Sequence, residues 1–150
     1  MATKTFSASL DQFAIKTAAK MKHVATQAIQ DVVEAAQTPQ VAITKGATSF
    51  EEGKIPVASG DLQNSLTSSA NGAGGTAGAT SYEAVITGYE LGDVLQFAWT
   101  MEYAMRIELG FVGTDSLGRT YNQAGRHFVG QNAAEFARFV AERAAEVKDK

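Results

Sequence analysis

Apolar side chains at Leu10, Phe13, Ala14, Met21, Val24, Ala28 and Val32 recur at steps of three and four, with Thr17 filling one place. That is the period of a single helical face, and it predicts a helix from about Ser9 to Ala36. Ser7 or Ser9 is placed to cap its start, and Asp11 suits the positive end of the dipole. Pro39 ends it, because proline disfavours helix at the residue before it. From Gln40 to Lys54 the pattern is mixed: "VAIT" suits a short strand, and "ITKGATSFEEGK" reads as loop. Beyond Pro56, Ser59 or Asp61 is suited to cap one turn carrying Leu62, Ser65 and Leu66, which passes into a strand near Leu66–Ser69.

Two later segments, "YEAVITGYE" and "VLQFAWT", are rich in β-branched and aromatic residues. In the second, Leu95, Phe97 and Trp99 alternate with Val94, Gln96 and Ala98, the period of a strand with one more apolar face. With "ELGD" as a turn signal between them, they predict an antiparallel hairpin. "MEYAMRIELG" reads as a short helix stopped by Gly110. Residues 111–126 read as a long loop, and His127–Lys148 as a closing helix. The expected class is α+β: an antiparallel sheet of three to four strands, with a long N-terminal and a long C-terminal helix packed on one face.

Composition changes this picture at a few points. The chain has 150 residues, enough for one domain with a real core. Its net charge of −3 lacks the basic footprint of a free-standing nucleic-acid binder. No cysteine is present, which removes disulfides, thiolate metal sites and a cysteine nucleophile. No run reaches signal-peptide or membrane-span length, so a soluble protein with no membrane partner is expected. Residues 68–81 hold four glycines and no charge, the composition of a flexible loop.

The candidate chemistry is sparse. Gly72–Ala77, "GAGGTA", matches G-x-G-x-x-A and leaves a small nucleotide-binding domain as one alternative, but "GATSYEAVI" after it has no helical period to meet a pyrophosphate. His23 and His127, the only histidines, lack partner ligands at metal-site spacing. No G-x-S-x-G elbow surrounds a serine. Glu108, between Ile107 and Leu109, is placed to form a structural ion pair with Arg106 or Arg126. The expectation is a protein that is not an enzyme and takes no cofactor or metal.

Two segments, taken in order, carry a resemblance. "IPVASGDLQNSL" resembles a motif of phage head–tail joining proteins: a proline, a small residue, a glycine, a leucine, then a serine and an aliphatic. "EYAMRIELGF" followed by "GRHFVGQNAAEF" resembles that family's second half, in which Tyr-Ala opens a short helix, an acid precedes glycine and Arg-x-Phe begins the last helix. These are the tail-completion proteins of long-tailed phages, akin to gene product ten of the HK-ninety-seven type. The chain departs from the family at Ser59, Asp61, Gln63 and His127. The resemblance implies a structural protein of the virion neck, made in the host cytoplasm. It would be a homo-oligomer, a hexameric ring, between the head-to-tail connector or stopper and the tail terminator or tail tube protein. DNA would pass through its lumen without specific binding. A tail terminator capping the tube is the related alternative.

The interface residues expected on this basis fall in three groups. Pro56, Ser59, Gly60, Leu62 and Ser65 belong to the proline segment. Gly72, Gly74, Gly75 and Gly78 belong to the glycine-rich loop. Glu108, Gly110, Arg126 and Phe128 belong to the second signature.

Overall fold

The computed structural model describes residues 5–148. Its first element, α1 (Phe6–Ala36), is capped by the Thr5 hydroxyl, which accepts from the Ala8 N–H at 3.1 Å, so neither Ser7 nor Ser9 is the cap and Asp11 lies beyond the first turn. At 1.5 Å per residue α1 is about 46 Å long. Two short strands follow, β1 (Pro39–Val41) and β2 (Ile55–Val57), paired in parallel with Gln40 opposite Pro56. Both prolines of the chain therefore lie in this small pair. After α2 (Asp61–Asn64) comes the main sheet. Its centre is β3 (Leu66–Ala70), with β4 (Thr76–Ala77) and β5 (Leu95–Trp99) antiparallel on either side. The fold is thus α+β, with a three-stranded antiparallel sheet and long N-terminal and C-terminal helices.

Where the sequence predicts a strand, at Tyr82–Glu90, the chain forms a helix, α3 (Ser81–Thr87). Tyr82 and Ile86 are buried, one turn apart, against Val33 of α1 and Leu66 of β3. The β-branched content of this segment loses to a docking site that accepts an i, i+4 pair. Consequently β5 pairs with β3, not with a hairpin partner immediately before it. The glycine-rich stretch is also more structured than an open loop. Its ends belong to β3 and β4, and Gly75 sits so close to β3 that a Cβ there would lie 2.8 Å from the Ser68 carbonyl oxygen. It turns the chain back antiparallel, so the parallel strand–helix context of a dinucleotide motif is not formed.

Two core clusters meet at Trp99. The first joins Val33, Leu66, Tyr82 and Ile86; the second joins Ala36, Ile55, Leu62 and Phe128. Gln37 lies at the seam. Its Oε1 accepts from Trp99 Nε1 at 2.8 Å, and its Nε2 donates to the carbonyls of Gln63 and Ala79. Gln37→Ala leaves a part-buried indole N–H and two part-buried carbonyls short of partners. We expect a loss of about 2–3 kcal/mol, read by urea unfolding with Trp99, the only tryptophan, as the fluorescent probe.

The second half begins with α4 (Ala104–Leu109). Residues 111–126, expected as loop, form most of a hairpin, β6 (Gly110–Thr114) with β7 (Thr120–Ala124). Its tip is built on Asp115. That carboxylate accepts from the backbone N–H groups of Leu117 and Arg119, from Arg119 Nε at 2.6 Å and from the Tyr121 hydroxyl. The Arg119 N–H foremost, then these other donors, hold its pKa below the ordinary 3.8. A depressed carboxylate contributes above its unfolded pKa and loses that contribution as pH falls through the folded one. The tip therefore stays closed at neutral pH and loosens only below about pH 4. A carboxyl NMR titration should show Asp115 titrating below the ordinary aspartate value of 3.8.

The closing segment is two helices, α5 (Gly130–Ala134) and α6 (Phe136–Val147), not one, with a three-residue-type turn from the Glu135 N–H to the Asn132 carbonyl between them. Helix α6 packs along α1. Two polar residues of this closing segment, one in each helix, are satisfied internally. Asn132 donates to the Gly53 and Phe128 carbonyls, and Arg143 forms a two-pronged pair with Asp31 of α1. Helix α6 spans only about 18 Å, so the first turns of α1 project past it. From Thr5 to Lys16 every residue except Ala8 is exposed, Phe6, Leu10 and Phe13 included.

Candidate functional site

The two segments border a cleft of about 560 Å³. One wall is the proline segment. Pro56 is the middle residue of β2, the chain turns at Gly60, whose φ of 89° favours a residue without Cβ, and α2 drives Leu62 into the core. Ser59 donates to Asp61 at 2.7 Å across this turn. The opposite wall is Tyr103, Ile107 of α4 and the end of β7. Burial first, and then the charge of Asp61, raises the pKa of the Tyr103 phenol.

Arg126 closes the cleft. It is 5% exposed, and its guanidinium stacks 3.9 Å over the Phe50 ring. Nη1 donates to the Ala124 carbonyl at 2.6 Å, while Nε is buried with no hydrogen-bond partner. Burial lowers its pKa. No carboxylate pairs with it among the described residues; the charge is held by an aromatic face and a carbonyl.

Glu108 corrects the expectation of an ion pair with Arg106 or Arg126. Its two oxygens accept from the backbone N–H groups of Val129 (2.9 Å) and Gly130 (2.7 Å), which fastens α4 to the start of α5. Arg106 stacks instead over Phe111, at 4.1 Å. Behind Glu108, two glycines let backbones cross. A Cβ on Gly110 would lie 2.5 Å from the Gln123 carbonyl oxygen, and one on Gly125 would lie 2.5 Å from that of Glu108. This contact brings the two halves of the second signature, Glu102–Phe111 and Gly125–Phe136, against each other.

Of the expected interface residues, Pro56, Ser59, Gly60, Leu62 and Arg126 line the cleft. Glu108 and Gly110 support it. Phe128 is 1% exposed and packs edge-on against Trp99, so it is core beneath the cleft, not free surface. Ser65 points inward to the Leu62 carbonyl. Gly72, Gly74 and Gly75 lie in the turn beyond Ala70, while Gly78 follows β4 and donates to the Leu66 carbonyl at the start of β3; none of the four lines the cleft. Phe50, Ile43 and Asn122 also line the cleft and were not foreseen. The one available signal was Phe50, an isolated aromatic in an otherwise polar loop.

No protein-family model, curated protein or solved structure matches this chain. The cleft's own chemistry is that of a recognition surface. Aliphatic and aromatic walls offer apolar burial, and a few hydroxyls, amides and one desolvated cation fix orientation. Among the described residues no cluster of three or more His, Asp or Glu is arranged to hold a metal.

Proposed function

We propose that this chain is a structural subunit of a phage neck, a tail-completion protein that joins the head-to-tail connector to the tail around the DNA channel as a ring of identical copies. The observation that carries the reading is the convergence of the two family-like segments. Pro56–Leu62 and Tyr103–Arg126 are far apart in sequence, yet they form the two walls of one cleft. A shared surface is a physical reason for the two segments to occur together. The mildly acidic charge also suits a channel wall, since strong phosphate binding would retard DNA passage.

Gold-labelled antibody against the chain, imaged by electron microscopy on intact virions, tests this. Label at the junction of head and tail is the expected result. Label confined to the capsid or tail tip, or none, overturns it.

A further inference from the structure

Arg126 is a buried cation whose carboxylate-binding edge has no protein partner. A guanidinium grips a carboxylate best along one edge, through two parallel N–H bonds. Arg143 does this in the same fold: its Nε and Nη2 donate to the two oxygens of Asp31 at 2.8 and 2.7 Å. On Arg126 the same two nitrogens make no hydrogen bond among the described residues, and only Nη1 is engaged, by the Ala124 carbonyl. Nε is sealed from solvent, whereas Nη2, equally unpartnered, keeps some contact with it. The side chain as a whole is 5% exposed and lines the cleft, so the cleft is the side from which Nη2 is reached. A desolvated cation left without its hydrogen bonds costs free energy, which an anion on that edge would offset.

Net charge around the mouth does not choose the ligand. Residues of both signs, Lys45 and Arg106 as well as Glu52, Asp61 and Glu102, are exposed there. The selection is local to Arg126, one fixed positive charge with a planar pair of donors. A carboxylate matches it in both charge and shape. A phosphate dianion would leave a second negative charge uncompensated in a cleft that Asp61 also lines. Ile43, Pro56, Leu62 and Ile107 offer apolar walls to the rest of the molecule.

We propose that the Pro56–Arg126 cleft binds a ligand that presents a single carboxylate on an apolar body, with the carboxylate on the Nε–Nη2 edge of Arg126. Phe50 controls access to Nε. Its ring stacks on the guanidinium, and it follows Gly46, whose φ of 98° is left-handed. Gln40 ties down Glu51 and Lys54 beyond it, so the movable part of this loop is the stretch from Gly46 to Phe50. A small swing of Phe50 admits the second carboxylate oxygen to Nε. The site stands whether or not copies of the chain form a ring.

Heteronuclear NMR of the full chain, reading the Arg126 Nε–H signal, tests this. Titration with hydrocinnamate should move that signal downfield and saturate, with a Kd at or below about 1 mM. Hydrocinnamamide has the same shape without the charge. It should bind about tenfold or more weakly, as expected when charge-assisted hydrogen bonds are lost. Acetyl-Leu-Phe with a free C-terminus separates two sources of the same chemistry. Binding tighter than that of hydrocinnamate assigns the carboxylate to the end of a peptide chain, and weaker or equal binding assigns it to a free acid.

Arg126→Lys keeps the charge and removes the two-donor edge. It should lose the Nε–H signal and weaken hydrocinnamate about tenfold, with circular dichroism unchanged. Should that variant fail to fold, the comparison of acid with amide in the parent chain decides alone. An Nε–H signal that does not move with either carboxylate overturns the proposal. So does equal binding of acid and amide, or displacement of hydrocinnamate by an equal concentration of inorganic phosphate.

Discussion

Phe128→Ala should cost about 3–5 kcal/mol, the range for removing a large aromatic from a packed core. The ring is 1% exposed and sits among Ala36, Ile55 and Leu62. It meets Trp99 edge to face, with ring centroids 5.3 Å apart and planes at 87°, a geometry that adds to simple area burial. The neighbours cannot easily close the gap. Ile55 is tied into β2, and Leu62 follows the tight turn at Gly60. Urea unfolding should show the midpoint fall with little change in slope, since the surface exposed on unfolding barely alters. Trp99 fluorescence should shift in the folded state as well, because its edge partner is gone. A loss below about 1 kcal/mol would mean that the cluster repacks and that Phe128 does not hold the cleft.

Gly125→Ala should be comparably severe for a different reason. The added Cβ would stand 2.5 Å from the Glu108 carbonyl oxygen and 2.7 Å from the Leu109 carbonyl carbon, both backbone atoms with no rotamer to escape through. The two segments would have to part, straining the bonds from Arg126 N–H to the Ile107 carbonyl and from His127 N–H to that of Glu108, now 2.7 and 3.1 Å. Overpacking together with weakened hydrogen bonds predicts about 3 kcal/mol or more, roughly 6–12 °C in melting temperature for a chain of this size. The damage should spread to the Glu108 cap, so the Val129 and Gly130 amide signals should move upfield as their bonds to its carboxylate lengthen. If those signals stay in place while the protein is destabilised, the crossing does not position Glu108.

What the sequence discloses follows from whether the signal is local. The α1 helix, the alternation of Leu95, Phe97 and Trp99, and the stop at Gly110 are written in consecutive residues and form as read. The α1 stripe, however, does not face the core as a whole: Leu10, Phe13, Ala14 and Met21 are exposed, and Val33 and Ala36, off the stripe, are buried with Ala28. Helix α3 was hidden by β-rich composition, although Tyr82, Val85, Ile86 and Tyr89 carry the helical spacing of zero, three, four and seven. The β6–β7 hairpin was hidden because its turn is built by a side chain, Asp115, and its strands lack a clean alternation. The cleft was legible as two separate segments and not as one surface. Its convergence depends on Gly110 meeting Gly125 and on Arg126 finding Phe50, which are encounters across the fold.

The parallel pair β1–β2 constrains how any second chain could add to this fold. Ile55 donates inward to the Thr38 carbonyl, and Ala42 donates inward to that of Val57. Strand groups alternate in direction, so the nitrogens of Pro56 and Pro39 face the two outer edges. Neither can donate, and each rim of this miniature sheet is blunted where an incoming backbone would seek a hydrogen. In the ring proposed above, copies would therefore meet through side-chain surfaces, and growth by strand addition at this pair would be blocked.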